Sequence, residues 1–386
     1  MAISFKFITL IQSLLYTFCV NWYQTSSEKD DITFSTYSMF VAFSLLYIGS
    51  DRKTKKQLGE VFGFSKINET EFDDAILSLV EHDSKAKEVI VQISNGIWLD
   101  KNTPFREEYK KHLEKLKCEI RNADFGNFPD EGRQEINKYI ENATRNVIVD
   151  FLQPGSITSD TVSVIVNAIY FKGEWKTEFD LMKEPFLFDN KQQEVVGMEK
   201  EKLETSAVFD ELYTAVNIPY KDNGYSMVII MPENMKKFEK KYMNRKDKES
   251  KLKDIVNDVR KRYPENRKVK LPKFKIETSI SMKEQLQELG VTDAFMGNAN
   301  FNKITPTQIY ISEALHKCVV EVDEKGSEAA AVTVVIMNGI FSCADCFFNE
   351  PPPPRPVIID KPFFFFIVGG EMEVPLFFGK ISHPTI

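Results

Sequence analysis

The sequence predicts a single large domain of mixed helix and sheet, of the α+β class. Three observations carry that expectation. Helical periodicity is concentrated in the first half of the 386 residues, while β-branched and aromatic runs dominate the second. No repeat period is present, and no Gly/Ser-rich linker divides the chain. Thirty-one phenylalanines and 42% apolar residues argue for a large, well-filled core. The length, about 2.6 times a typical 150-residue domain, is then one large unit, residues 1–386, rather than two joined ones.

Between Lys6 and Glu28 the chain carries no charge. Phe7, Leu10, Ile11, Leu14, Leu15, Phe18 and Trp22 follow helical spacing, with Thr9, Gln12, Ser13, Thr17 and Asn21 largely on the other side. No small-x-small cleavage site precedes Ser26, so the pattern predicts an amphipathic first helix over 7–22 rather than a cleaved signal. Helices are expected next at Ser38–Ile48, at Thr54–Val61 with Gly63 closing it, at Glu107–Leu116 and at Gln134–Ile148. Val89–Leu99 alternates like a strand, and Val162–Phe171 is apolar enough to be covered on both faces. Further strands are expected at Ser226–Met231, Val269–Ile276, Val319–Val322 and Phe363–Val368.

Charge and inventory exclude several functions. Fifty Lys and Arg against 57 Asp and Glu leave a net −7, with no bulk support for binding nucleic acid. The basic runs Lys236–Lys241, Arg245–Lys253 and Arg260–Lys270 are interleaved with acids, as solvated surface is. No nucleophile elbow, no His pair at ligand spacing and no phosphate-cradling Gly motif is present, which argues against an enzyme, a metal or a cofactor. Cys343-x-x-Cys346 has no second pair or nearby His to complete a site. It is read as a chance pair in a loop, with an intraloop disulfide the alternative in an oxidising compartment.

One long irregular segment stands out, from about Glu324 to Pro356. It opens on Gly326-Ser327-Glu328-Ala329-Ala330-Ala331, continues through Val332-Thr333-Val334-Val335-Ile336 and closes on Pro351–Pro354. From Ala329 to Ala344 it has no charge, and its first half has strong strand propensity. It reads as a strand waiting for a sheet.

At these residues the chain resembles the serpins. Glu324-Lys325-Gly326-Ser327-Glu328-Ala329-Ala330-Ala331 is similar to the family's proximal hinge. Asn167-Ala168-Ile169-Tyr170-Phe171-Lys172-Gly173-Glu174-Trp175 resembles its long central strand, and Ser312-Glu313-Ala314-Leu315-His316-Lys317 the segment before the hinge. Leu271-Pro272-Lys273-Phe274 and Pro375-Leu376-Phe377-Phe378-Gly379-Lys380 match later landmarks, so the resemblance spans nearly the whole chain.

The resemblance implies three sheets, eight or nine helices and an exposed reactive-centre loop on a metastable fold, with the hinge and loop at 324–356. It also implies suicide inhibition of a serine protease by a monomer, with no catalytic group, cofactor or membrane of its own. The protease forms an acyl-enzyme on the loop, which then inserts into the main sheet and stalls deacylation. Alternate residues would face inward: Ser327, Ala329, Ala331, Thr333, Val335 and Met337, small then apolar and without charge or Pro. Ser35, Ser38, Asn167 and His316 are implied as the hydrogen-bonding cluster that lets the sheet open. Glu324 and Trp175 are implied as guards of the point where a strand would first enter. Thr36 departs from the family, which usually has Pro there. The alternative within the family is a non-inhibitory binding or carrier protein.

Counting forward from Glu324 by the family's spacing places the cleaved bond at Ile340–Phe341, with Phe341–Ser342 the next choice. A backward count from Lys361-Pro362-Phe363 lands near Pro351, because the loop carries roughly ten extra residues. The forward count is preferred, since insertion depends on distance from the hinge. Either bond suits an elastase-like or chymotrypsin-like pocket more than a trypsin-like one. Arg355, followed by Pro356, makes a poor substrate bond and is far from the hinge. The sequons Asn68-Glu69-Thr70 and Asn142-Ala143-Thr144, with the resemblance, give an extracellular expectation.

Overall fold

The computed structural model describes residues 5–26, 30–68, 71–82, 88–116, 118–189, 193–244, 251–327, 353–370 and 372–386. Among them are nine α-helices, two large sheets and a small two-stranded one. The mixed α+β class read from the sequence is therefore observed. No helix of the described residues is long and apolar enough to cross a membrane.

The six-stranded sheet holds Asn167, His316 and Gly326–Ser327. In order across it lie Phe274–Ser281, Glu313–Val322, Ser163–Glu174, Val89–Asp100 and Glu119–Ala123. A sixth, two-residue strand, Gly326–Ser327, pairs with the end of Ser163–Glu174. Ser163–Glu174 is buried almost throughout because both faces are covered. On one side lies the main core with helix Thr36–Gly49, in which all but two residues are buried. On the other, helix Pro129–Ala143 and the segment after it press Ile136, Ile140, Ile148 and Phe151 onto Val164, Val166 and Ala168.

The nine-stranded sheet runs from Ile32–Phe34 through Val374–Ile381, Phe363–Gly369, Ser226–Pro232, Tyr213–Pro219, Gly197–Phe209 and Glu265–Pro272 to Val357–Ile358, with Asp180–Leu181 as a ninth strand beside Gly197–Phe209. Here the phenylalanines are spent. Phe363, Phe364, Phe365 and Phe366 are all fully buried, and Phe364 stacks on Phe378 at 5.7 Å. The first helix, Phe5–Thr25, lays Ile11, Leu14, Leu15, Phe18 and Trp22 into this core. Its polar face is tied down as well: Gln12 Nε2 donates to the Met372 carbonyl at 2.8 Å.

Several elements differ from expectation. The run Val269–Ile276 is two strands in two different sheets, Glu265–Pro272 and Phe274–Ser281. Pro272 has no N–H to continue a ladder, and Lys273 N–H turns to the Val196 carbonyl instead, at 2.8 Å. The helix expected at Gln134–Ile148 lies at Pro129–Ala143. Pro129 is preorganised for the first helical position, while Arg145 and Asn146, at φ 54° and 62°, end it. Gly197–Phe209 is a strand whose charges mask its alternation. Those charges pair across the sheet, as Glu199 does with Lys270 at 2.8 Å.

Candidate functional site

The site is built where three neighbouring strands meet the start of a buried helix. Register places Asn95 opposite Asn167 and Asn167 beside His316, so the three form one row across the sheet. Helix Thr36–Gly49 begins against that row. Ser35 is its N-cap, with extended backbone and a side chain that accepts from Ser38 N–H at 3.0 Å. Ser35 N–H donates to His316 Nε2 at 3.0 Å, which leaves the ring proton on Nδ1. From there it bonds Asn167 Oδ1 at 2.6 Å. Ser38 Oγ also donates to Asn167 Oδ1, at 2.9 Å, while Asn167 Nδ2 donates to Ser38 O and to Asn95 Oδ1.

All four residues named from the sequence meet here, and Asn95 completes the set. Its signal was a polar residue inside an apolar strand, and only the register puts it opposite Asn167. Burial lowers the His316 pKa to about 3, so the imidazole is neutral and the network is held by dipoles alone. Thr36, where the family has Pro, leaves the cap intact. Its hydroxyl is buried without a hydrogen-bond partner.

The hinge lies at the other end of Ser163–Glu174. Glu313–Val322 pairs with that strand in parallel as far as Val319–Tyr170, and the chain then turns back. Asp323 makes the turn: its Oδ1 accepts from Lys325 and Gly326 N–H, and its own N–H donates to Gly326 O at 2.9 Å. Gly326 and Ser327 then pair antiparallel with Glu174 and Gly173. Only glycine fits at 326, because a Cβ would stand 2.2 Å from the Gly173 oxygen.

Ser327 is buried, and its hydroxyl lies 2.9 Å from the Tyr220 hydroxyl. Burial pushes the Tyr220 phenol up, so it stays a neutral partner. Tyr220 stacks on Trp175 at 4.6 Å and 9°. Trp175 in turn donates from Nε1 to Asp323 O and from its backbone to Lys325 O. Glu324 bonds Lys273 at 2.8 Å. Partial burial opposes the charge on Glu324, but the Lys273 bond and charge outweigh it and hold the carboxyl below its ordinary range.

Glu324, Gly326, Ser327 and Trp175 thus share one corner with Tyr220, Lys273 and Asp323, to which the sequence had assigned no role. Glu328, Ala329, Ala330, Ala331, Ile340, Phe341, Ser342, Cys343 and Cys346 lie outside the described residues. Arg355 is bound to the body of the protein. Its guanidinium lies 4.3 Å over the Phe209 ring, and its carbonyl accepts from the buried Arg267 at 3.1 Å. Val357–Ile358 then pairs in parallel with Val269–Lys270.

A family model described as serpin (serine protease inhibitor) matches residues 13–384. The chain is a serpin. A serpin-like protein of Methanosarcina acetivorans is 33% identical, over 82% of this chain and 75% of its own length. The leukocyte elastase inhibitor of Xenopus laevis is 28% identical, over 83% of this chain and 88% of its own. Among solved structures, Serpin48 of the insect Tenebrio molitor superposes with a TM-score of 0.81 at 22% identity, covering 98% of each chain. The matching family model describes protease inhibitors rather than proteases.

Proposed function

We propose that this serpin is a suicide-substrate inhibitor of a serine endopeptidase, cleaved at Ile340–Phe341. The observation that carries the reading is Ser327, seated with Gly326 as the first rungs of a strand at the parting of Glu313–Val322 from Ser163–Glu174. The protease serine attacks the Ile340 carbonyl carbon, and the Phe341 amine leaves with the C-terminal part of the chain. The freed segment extends the rungs already laid, antiparallel to Ser163–Glu174. One parallel pairing is replaced by two antiparallel ones, the more stable kind per residue.

Admitting a strand parts Glu313–Val322 from Ser163–Glu174 by about one strand spacing, ~4.8 Å. The 2.6 Å bond from His316 to Asn167 then breaks. That latch keeps the sheet closed until cleavage releases the loop, and the gain from insertion outweighs it. An elastase-like or chymotrypsin-like target is favoured by Ile340 and Phe341, and a relative in Xenopus laevis carries the name of an elastase inhibitor. Work outside the cell as a monomer is part of the same proposal, supported by the exposure of Asn68 and Asn142 in the two sequons.

Incubation with pancreatic elastase, chymotrypsin and trypsin, followed by a denaturing gel and the mass of the released fragment, tests it. A denaturant-stable complex and a fragment beginning at Phe341 are expected. Cleavage without a complex by all three would favour the carrier-protein reading, and a fragment beginning at Pro356 would overturn the count from the hinge.

A further inference from the structure

Strand Phe274–Ser281 is the last of the six-stranded sheet on its side and pairs with Glu313–Val322 alone. Lys275 N–H turns away from that ladder to the Thr385 carbonyl, at 2.7 Å, while Met282 N–H turns towards it, to the Ala314 carbonyl at 2.8 Å. The alternation of a strand then turns the backbone of Ser279 and Ser281 outward, to an edge that no described strand pairs. Beside this edge is a half-open cleft of about 300 Å³, at the small end of the range for small-molecule sites. The end of helix Phe5–Thr25 and the helix Lys283–Leu289 wall it, and Ile32 and Ile280 give it an apolar surface.

The polar groups of the cleft are mostly acceptors. Glu284 and Glu288, one turn apart on Lys283–Leu289, bring two carboxylates. The hydroxyls of Thr25 and Ser26 spend their protons on the Trp22 carbonyl, at 2.8 Å and 3.1 Å, and keep their lone pairs. Gln285 Nε2 donates to Ser26 Oγ at 3.4 Å, while Gln285 Oε1 is buried with no hydrogen-bond partner. The outward carbonyl of Ser279 adds a further acceptor. Against this surplus the described lining holds no Lys, Arg or His.

An anionic cleft rich in acceptors selects a ligand rich in donors. An ammonium is compact and strongly hydrated, so it gives up more on leaving water. A planar guanidinium or amidinium is more weakly hydrated, and its fork of N–H groups meets a carboxylate with two parallel bonds. Ile32 and Ile280 accept the apolar stem of such a cation. We propose that this cleft is a binding site for a small planar cation of the guanidinium or amidinium class, held by Glu284 and Glu288 with Gln285 and the edge of Phe274–Ser281. Loop insertion, as proposed above, takes place on the other side of Glu313–Val322, between it and Ser163–Glu174. The site therefore stands independently of the inhibitory reading.

The probe is p-aminobenzamidine, whose fluorescence rises when it leaves water. With the intact, uncleaved chain and no protease present, a saturable rise is expected. Ethylguanidinium should displace the probe at a concentration at least about fivefold below that of ethylammonium. The uncharged counterpart, 4-aminobenzamide, should fail to displace it. Glu284→Gln removes one charged acceptor and should raise the half-saturating concentration about tenfold. Ser279 is exposed at the rim, so Ser279→Lys supplies a cation of the chain's own and should abolish binding. No saturable rise, or a rise undiminished in Ser279→Lys, overturns the site. Should that variant fail to fold, Glu284→Gln, at an exposed position, decides instead: an unchanged half-saturating concentration overturns the site. Displacement by 4-aminobenzamide as effective as that by ethylguanidinium overturns the choice of a cation, and equal displacement by ethylammonium overturns the planar class. Because no step needs a protease, failure of the inhibitory reading leaves the binding result intact.

Discussion

The two described feet of the proposed reactive loop are fastened in opposite ways. The proximal foot, Gly326–Ser327, is antiparallel to Ser163–Glu174 and lies where two strands diverge, so further rungs can be added below it. The distal foot is closed off. Val357 and Ile359 are fully buried, Val357–Ile358 is parallel to its neighbour, and two arginines gather on Phe209 just before it. One end is arranged to extend and the other to hold. On the proposed mechanism, a loop fastened like that would be cleaved between the feet and would resist being pulled in whole.

The strongest way to break this asymmetry is at the proximal foot. Ser327→Arg would bury a cation against Tyr220 with no partner, a penalty of several kcal/mol. Protease should then be released with cleaved chain, and the moles of inhibitor consumed per protease should rise more than about tenfold, as active-site titration would read. Next comes the latch. His316→Ala leaves Ser35 N–H and Asn167 Oδ1 without their partner and should cost about 1–3 kcal/mol by urea unfolding.

The same histidine makes a signed prediction with pH. Its folded pKa, about 3, lies below the ordinary value, so its contribution to stability is complete above about pH 6.5. That contribution is lost as the pH falls towards 3, by up to about 1.4 kcal/mol per unit. Urea midpoints taken from pH 7 to 4 should show this slope in the natural chain and lack it in His316→Gln.

At the distal foot, Arg355→Ala removes an exposed cation from an aromatic face and should cost only about 0.5–1 kcal/mol. A larger fall in Tm than in Ser327→Ala would reverse the comparison. Thr36→Val should sharpen it from the other side. It removes an unpaired buried hydroxyl at nearly constant volume and should stabilise the closed sheet by up to about 1 kcal/mol.

Much of this was legible in the sequence, for a physical reason. The hinge is a run of small residues with a Gly at its start, and the long strands and helices carry their periods in contiguous residues. Ser35, Ser38, Asn167 and His316 came through resemblance, since nothing local distinguishes a core serine from a latch. Asn95, Tyr220 and Lys273 were not assigned because their roles depend on register between strands far apart in the chain. Asn95 meets Asn167 across 72 positions and Tyr220 meets Ser327 across 107, which local patterning does not encode. The division at Pro272 was missed because apolar alternation continues across it into another sheet.

Strand direction adds a last consequence. In the six-stranded sheet two neighbouring pairs run the same way: Glu119–Ala123 with Val89–Asp100 at the edge, and Glu313–Val322 with Ser163–Glu174 in the interior. In the language of crystals the second of these is a stacking fault in the interior of the lattice, and one reversed strand there heals it. Gly326 and Ser327 already run in the healing direction. On the proposed mechanism, the place for a new strand is therefore written into the order of the strands and not only into the loop that would fill it. Shortening or altering the loop would leave that parallel pairing in place.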